Sequence, residues 1–142
     1  MKYALVTGGS RGIGRAVSLK LAEMGYILLI NYRSNDVEAE HTLQLIRERG
    51  SDGELLRFDV TDAKAVESTL NAWTDKHPDA YIEVLINNAG IRQDNLLLWM
   101  TGEEWHRVLD ISLSGFFNVT QSLLMNMLVK RFGRIVNIVS LS

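Results

Sequence analysis

The stretch that decides the fold is Tyr3-Ala4-Leu5-Val6-Thr7-Gly8-Gly9-Ser10-Arg11-Gly12-Ile13-Gly14, close to the amino terminus. It begins with an apolar run typical of a short buried strand and continues into a glycine-rich loop. The residues after the loop place apolar side chains on one helical face as far as Gly25, a typical helix stop. Strand, glycine loop and helix in this order form the first half of a βαβ unit.

The same alternation continues along the rest of the chain. Further strands are predicted at residues 27–30, 55–58, 81–86 and 135–139. Three capping patterns begin further helices, at Asn35 with Glu38, at Thr61 or Asp62, and at Thr101 with Glu104. Short, apolar, non-alternating strands are typical of a parallel sheet covered on both faces. The sequence therefore predicts an α/β fold with a Rossmann-like, doubly wound parallel sheet of five strands.

Length, charge and composition exclude several classes of protein. The 142 residues are enough for one domain with a sizeable core. The chain has 15 basic and 17 acidic side chains, so its net charge of -2 gives no reason to expect nucleic acid or a membrane as partner. It has no cysteine, and its histidines lack metal-ligand spacing, so we expect no disulfide and no metal site. We see no targeting signal and no apolar stretch approaching a membrane span, and we expect a cytoplasmic protein.

The glycine loop has the layout of a nucleotide-binding turn. Gly8 lets the chain turn sharply off the strand, Gly12 leaves space where backbone approaches a pyrophosphate, and Gly14 allows close packing of the helix. The free N–H groups and partial positive charge of the helix N-terminus favour phosphate there. An ordinary strand-to-helix turn is the alternative. The succession of strand, loop, helix and second strand favours the nucleotide site.

Two motifs together resemble those of the short-chain dehydrogenase/reductase family. The first is the TGxxxGxG spacing of residues 7–14, and the second is Asn87-Asn88-Ala89-Gly90 after the fourth strand. The likeness covers the whole chain and is nearest to the bacterial 3-oxoacyl-[acyl-carrier-protein] reductases. This narrower likeness rests on the first motif and on two later stretches, Asn87-Asn88-Ala89-Gly90-Ile91 followed by Asp94-Asn95-Leu96, and Gly133-Arg134-Ile135-Val136-Asn137-Ile138.

The resemblance implies an oxidoreductase of fatty acid biosynthesis. Its reaction would be the NADPH-dependent reduction of 3-oxoacyl-[acyl-carrier-protein] to the 3-hydroxyacyl form, by hydride transfer to the ketone. Another short-chain carbonyl or alcohol oxidoreductase, acting on acetoacetyl-CoA or a sugar, is the alternative within the class. A non-catalytic nucleotide-binding module is the alternative from another class.

A set of cofactor-binding residues follows from the resemblance. From the glycine loop they are Thr7, Gly8, Ser10, Arg11, Gly12, Ile13 and Gly14. From the ends of later strands they are Tyr32, Arg33, Asp59, Val60, Asn87, Ala89, Gly90 and Ile138. Asp59 and Val60 match the pair that contacts the adenine in the family.

The end of the second strand bears on the choice between NADP and NAD. An NAD site carries a carboxylate about 20 residues past the glycine loop, where it binds the ribose 2′-hydroxyl. Tyr32 holds that position here, Arg33 follows it, and Arg11 lies inside the loop. Two guanidinium groups can pair with a 2′-phosphate, so we expect NADP(H). Solvated surface arginines are the alternative, and the nearby Asp36 keeps NAD open.

The resemblance also implies which residues carry the chemistry. Ser140 matches the family's serine that hydrogen-bonds the carbonyl oxygen, with Ser142 as the second choice. Ser112 falls at the position of the family's asparagine, which supports a proton-relay water. A hydroxyl cannot reproduce the paired donor and acceptor of an amide, so this departure puts the relay in question. Asn118 lies nearly two helical turns further on and is not assigned the role.

The tyrosine and lysine that complete the family's proton chemistry have no match. Tyr3, Tyr26, Tyr32 and Tyr81 all precede Ser140, and none has a lysine four residues later. The family's pair lies in the helix after the fifth strand. We therefore expect residues 1–142 to be the N-terminal, NADP-binding portion of a longer single-domain enzyme, inactive alone. The fifth strand would then expose an unpaired apolar edge.

Three further features are candidate contact surfaces. Lys130, Arg131 and Arg134 cluster at the end of the last helix, where an acidic carrier protein could dock, as the resemblance implies. Charges that complement a helix C-terminus are an equal alternative. The apolar positions of this helix exceed one stripe, and in the family it pairs across a subunit interface, usually within a tetramer. Residues 96–100 are expected to pack in the interior rather than to form a substrate wall or an oligomer contact.

Overall fold

The structure is a computed structural model and describes residues 1–90 and 97–139. Within these residues the strands are β1 (Lys2–Val6), β2 (Tyr26–Tyr32), β3 (Gly53–Arg57), β4 (Ile82–Asn87) and β5 (Arg134–Asn137). The helices are α1 (Gly12–Glu23), α2 (Asp36–Glu48), α3 (Ala63–Lys76) and α4 (Gly102–Lys130), with a short 3-10 turn at Leu97–Trp99. The strands form one parallel sheet in the order β3-β2-β1-β4-β5. This order is that of a doubly wound Rossmann sheet, so the expected fold class is confirmed.

The sheet carries a hydrophobic core on each face. Neighbouring residues of β1 and β2 alternate between the two cores because successive side chains of a strand point to opposite faces. Leu5 and Leu29 pack with α3 and α4, in a core that also holds Leu70, Leu85 and Leu123. Ala4, Val6, Leu28 and Ile30 pack with α1 and α2, in a core that also holds Ala22 and Ile46.

Glycines end two helices and side-chain caps begin three, at or next to the residues predicted from the sequence. Gly25 and Gly50 follow α1 and α2 with φ of +93° and +82°, a backbone conformation that favours glycine. The side chain of Asn35 accepts the Glu38 N–H at the start of α2, and that of Thr101 accepts the Glu104 N–H at the start of α4. Of the two candidates for α3, Asp62 is the cap, since it accepts the Ala65 N–H.

The fifth strand has an exposed edge, as expected, but different bounds. β5 is shorter than residues 135–139, and its side chains are exposed, with Val136 47% exposed. Its position explains this, because β5 is the edge of the described sheet with β4 as its neighbour. The described helices pack on the other strands.

The long helix α4 bears on the expectation that no apolar stretch of the chain approaches a membrane span. By length and composition α4 could cross a membrane, so the statement that no stretch approaches a span is wrong. Counting consecutive apolar residues overlooked it because serine, asparagine and glutamine interrupt the run. In the structure α4 packs on α3 and β4 through Val119, Leu123 and Met127, as a helix that covers a sheet does.

Candidate functional site

The candidate site lies where the strand order of the sheet reverses. β2 and β3 extend to one side of β1, and β4 and β5 extend to the other. In open α/β sheets, ligands bind outside the carboxyl ends of the strands at this switch point. The glycine loop follows β1 and the Asn88-Ala89-Gly90 segment follows β4, so both motifs meet at this point.

The glycine loop is tightly packed at Gly8 and Gly14 and faces open space at Gly12. Gly8 has a φ of +62°, and Gly12 has a φ of +57° with open space around it. A Cβ on Gly14 would collide with the carbonyl oxygen of Gly8, and it would lie 2.8 Å from Nδ2 of Asn88. Gly14 therefore allows α1 to approach the glycine loop and the Asn87-Asn88-Ala89-Gly90 motif after β4, which we call the strand-four motif. The close packing expected at Gly14 is thus against these two segments rather than against the sheet itself.

Thr7 joins the two motifs. Its side-chain oxygen accepts the backbone N–H groups of Asn88 and Ala89, each at 2.9 Å, and donates to the carbonyl of Ile86 at 3.4 Å. Nδ2 of Asn88 donates back to the carbonyl of Gly8 at 3.1 Å. Thr7 is only 1% exposed, so it shapes the floor of the site from within.

Asn31 is a structural residue of the site that the sequence reasoning missed. Its side-chain oxygen accepts the Gly8 N–H at 3.2 Å, and its carbonyl accepts the Gly9 N–H at 3.0 Å. Its Nδ2 donates to the carbonyls of Leu56 and Phe58 at the end of β3. Asn31 thus ties the glycine loop to β2 and β3. A buried amide ending an apolar strand was the available signal.

The end of β2 presents a tyrosine whose hydroxyl is already occupied. Tyr32 is buried and donates to Oδ1 of Asp36 at 2.7 Å. This hydrogen bond is the main cause that raises the pKa of Tyr32, with burial as the second. The other carboxylate oxygen of Asp36 lies 3.6 Å from Nη1 of Arg57. Asp36, the carboxylate that kept NAD open, is therefore paired with Tyr32 and Arg57.

Three arginines line this end of the site. The Arg11 side chain is exposed and has no hydrogen-bond or ion-pair partner among the described residues. Nε of Arg33 lies 3.7 Å from Oδ2 of Asp59, with 79% of the Arg33 side chain exposed. Nε of Arg57 donates to the carbonyl of Arg33 at 3.2 Å. Exposed ion pairs of this kind are weak, so Arg33 remains available to an anion.

Asp59 and Val60 occupy different environments. Oδ1 of Asp59 accepts the Thr61 N–H at 2.9 Å and the Thr61 hydroxyl at 2.8 Å. The backbone N–H of Thr61 is the main cause that lowers the pKa of Asp59. Val60 is buried against Gly115 of α4, and Nδ2 of Asn118 donates to its carbonyl at 2.9 Å. Asn118 thus positions this loop.

Asn87, the first residue of the strand-four motif, connects β4 to α4 and β5 through hydrogen bonds. Its Nδ2 donates to Oγ1 of Thr120 on α4 at 3.1 Å and to Oδ1 of Asn137 on β5 at 2.9 Å. Its carbonyl accepts the N–H of Ile138 at 2.9 Å. Asn87 is 1% exposed, so both it and Ile138 shape the site through β4 and β5.

Ser112 lies beside the strand-four motif. It is half-buried on α4, and a Cβ built on the exposed Gly90 would lie 3.5 Å from its Oγ. The structure does not describe Ser140 or Ser142. It also does not describe Ile91 and the Asp94-Asn95-Leu96 stretch that follow the second motif. The site assignments of Ser140 and Ser112 therefore stay predictions.

Two smaller expectations can be compared with the structure. Interior packing of residues 96–100 is wrong for Leu98 and Trp99, which are 80% and 67% exposed. The composition of an apolar run does not distinguish buried from exposed residues, which is why the sequence did not separate the two cases. Among the described residues, no group of His, Cys, Asp and Glu is arranged to hold a metal ion.

The chain belongs to the short-chain dehydrogenase family, whose model matches residues 2–142. It is 41% identical over 139 residues to the 3-oxoacyl-[acyl-carrier-protein] reductase FabG of Staphylococcus aureus (strain Mu50), a match that covers 98% of this chain and 56% of that protein. It is 39% identical over 141 residues to the 3-oxoacyl-[acyl-carrier-protein] reductase of Synechocystis, with 99% and 56% covered. The chain therefore spans a little over half the length of these curated relatives.

A solved structure supports the same family assignment. It is the crystal structure of a metagenomic short-chain oxidoreductase in complex with NADP, which superposes with a TM-score of 0.85 at 27% identity. The match covers 99% of this chain and 63% of that one.

Proposed function

We propose that this chain forms the cofactor-binding part of an NADPH-dependent reductase of 3-oxoacyl groups carried on acyl carrier protein. The observation that carries the proposal is the junction at Thr7, which holds the glycine loop and the strand-four motif together at the switch point of the sheet. The substrate class comes from the names of relatives that match nearly the whole of this chain.

The residues of the site fit a dinucleotide phosphate. Gly12 faces open space, and the N-terminus of α1 offers N–H groups without intrahelical partners. Arg11 and Arg33 supply positive charge for a 2′-phosphate, while the carboxylate of Asp36 is paired. NADPH, when bound, supplies the hydride that reduces the ketone.

The rest of the chemistry falls to residues at the ends of β5 and on α4. Ser140 would donate a hydrogen bond to the ketone oxygen, and Ser112 would stand where a water relay is expected. The family's tyrosine would give the proton to that oxygen, and its lysine, four residues later, would lower the pKa of the tyrosine; residues 1–142 contain no such pair. We therefore propose that the 142-residue chain binds cofactor and does not turn over.

Partners follow from two exposed surfaces. Lys130, Arg131 and Arg134 are all exposed at the end of α4, where they present a cluster of positive charge. An acidic acyl carrier protein fits this charge. α4 also exposes Leu113, Phe117 and Leu128, and exposed apolar side chains mark interaction surfaces, so we propose an oligomeric enzyme. Its tetrameric state and cytoplasmic location are proposed from the family resemblance alone.

The experiment that tests the proposal is NADPH oxidation with 3-oxoacyl-[acyl-carrier-protein] as substrate. The 142-residue chain is compared with a version that continues through the tyrosine and lysine expected after Ser140. The proposal expects turnover only in the longer version. Turnover with small ketones or sugars alone would favour another carbonyl reductase, whereas cofactor binding without turnover in either version would favour a nucleotide-binding module.

The role of the basic cluster is tested in the longer version by reversing one charge. Arg131→Glu is expected to slow reduction of carrier-linked substrate, because the acidic carrier loses one favourable contact. It should leave reduction of a small free ketone unchanged. An equal effect on both substrates would favour the alternative that these charges stabilise the end of α4.

A further inference from the structure

We propose that Arg15, Glu38 and Thr42 form a clamp that fixes the Ser10–Arg11 peptide and so positions the glycine loop for the cofactor. The inference rests on the proposed cofactor site and assigns a role to three residues that the family motifs leave unused. Arg15 lies on α1, whereas Glu38 and Thr42 lie on α2. The clamp therefore joins the first two helices across the loop.

Arg15 makes a dense set of contacts for a side chain so near the surface. Its Nη2 donates to the carbonyl of Ser10 at 2.7 Å, and to the carbonyl and Oε2 of Glu38 at 3.1 and 2.8 Å. Its Nε donates to Oγ1 of Thr42 at 2.9 Å. The Arg15 side chain is 21% exposed, so most of the guanidinium contacts are shielded from water. Hydrogen bonds to charged groups in such surroundings are stronger than neutral ones.

Thr42 completes the clamp from a fully buried position. It is 0% exposed, and its hydroxyl donates to the carbonyl of Ser10 at 2.8 Å. The Ser10 carbonyl is thus held by two donors, from Arg15 and Thr42. In a planar trans peptide the following N–H points opposite to the carbonyl. The Arg11 N–H is therefore directed away from α2, and it has no partner of its own among the described residues.

The ion pair of Arg15 with Glu38 distinguishes a positioning role of Arg15 from direct binding of the 2′-phosphate. The carboxylate of Glu38 neutralises Arg15 at 2.8 Å, whereas Arg11 is exposed and unpaired among the described residues. Arg15 is consequently a positioning residue, and Arg11 is the one presented to an anion. A positioning role predicts that losing the clamp weakens NADP and NAD alike, because both share the pyrophosphate that the loop binds.

The test uses Thr42→Val, with Thr42→Ser as the matched control. Valine keeps the shape of threonine and removes only the hydroxyl, and Thr42 is too buried to touch a ligand. We expect Thr42→Val to weaken NADP and NAD by a similar factor of about ten, because it removes the hydrogen bond donated to Ser10 and the one accepted from Arg15. Thr42→Ser should bind both cofactors as the parent does. Unchanged affinity in Thr42→Val, or no rescue by serine, would overturn the clamp.

Two further measurements separate the clamp from the cofactor assignment. The Arg11 amide should have an NMR order parameter near 0.85 in the parent and fall towards about 0.6 in Thr42→Val, since the peptide is then held by one donor. Equal order parameters would overturn the clamp, even if the parent binds neither cofactor and the proposed function fails. Arg15→Met should weaken both cofactors, and a loss confined to NADP would show instead that Arg15 binds the 2′-phosphate.

Discussion

The side-chain oxygen of Thr7 lies 2.9 Å from the backbone nitrogen of Asn88, and this contact joins the first motif of the chain to the second. The two residues are separated by 81 positions in sequence. They meet because β1 and β4 are hydrogen-bonded neighbours in register, with Val6 opposite Ile86. The parallel pairing of two strands thus determines where the glycine loop stands relative to the Asn88-Ala89-Gly90 segment.

Removing the hydroxyl of Thr7 should destabilise the protein. Thr7→Val leaves the buried N–H groups of Asn88 and Ala89 without an acceptor, and each unsatisfied group costs about 1–3 kcal/mol. We expect a lower midpoint of urea unfolding with an unchanged m-value. Thr7→Ser keeps the oxygen and should stay near the parent. A Thr7→Val protein as stable as the parent would contradict the junction.

The close approach at Gly14 should not tolerate one added methyl group. In Gly14→Ala the new Cβ would collide with the Gly8 carbonyl, so we expect a loss of about 1–3 kcal/mol and weaker cofactor binding. Gly102→Ala is the matched control, because Gly102 begins α4 with open space around it, and alanine there should be neutral or slightly stabilising. Thermal unfolding of both variants checks the difference. Equal effects would show that the approach at Gly14 is not tight.

Acid should weaken the fold partly through Asp59. The N–H of Thr61 is the main cause that holds the pKa of Asp59 below its ordinary value of about 3.9. A carboxylate whose folded pKa is depressed stabilises the protein above its unfolded pKa, and that stability is lost as pH falls through the folded pKa. Asp59→Asn should therefore flatten the loss of stability below about pH 4. NMR titration of the Asp59 carboxyl gives the pKa directly, and a value at or above the ordinary one would contradict the prediction.

The serine at the relay position gives a gain-of-function prediction. In the longer version, which carries the tyrosine and lysine, Ser112→Asn should raise turnover, because an amide supplies both a donor and an acceptor to a relay water. Ser112→Ala is the control and should leave turnover at or below the parent value. Steady-state kcat with a 3-oxoacyl substrate is the measurement. Unchanged turnover in Ser112→Asn would make the substitution neutral and remove the relay from the account.

Much of the fold was predictable because local signals determine it. Gly25, Gly50, Asn35 and Thr101 end or begin helices through their own backbone angles and side-chain hydrogen bonds. Thr61 and Asp62 could not be separated in sequence, since both can cap a helix. The structure separates them because Thr61 is bound by Asp59 and Asp62 is left to accept the Ala65 N–H.

The site was predictable only as far as its motifs reach. The glycine loop and the strand-four motif together predict a nucleotide site. No local sequence pattern predicts the contact of Asn31 with the end of β3 or that of Arg15 with Thr42. These contacts join residues about 27 positions apart, and they exist only once α1, α2 and β2 have packed. The contact of Asp36 with Arg57 is of the same kind, since it exists only once the start of α2 lies beside the end of β3.

A pair of binding titrations of the 142-residue chain, with NADP and with NAD, tests the proposed cofactor site most directly. We expect NADP to bind more tightly than NAD, and we expect Arg11→Met to reduce this difference by weakening NADP alone, because Arg11 is the exposed, unpaired cation of the described loop. Binding of NAD as tight as or tighter than that of NADP would show that the site is not built for a 2′-phosphate.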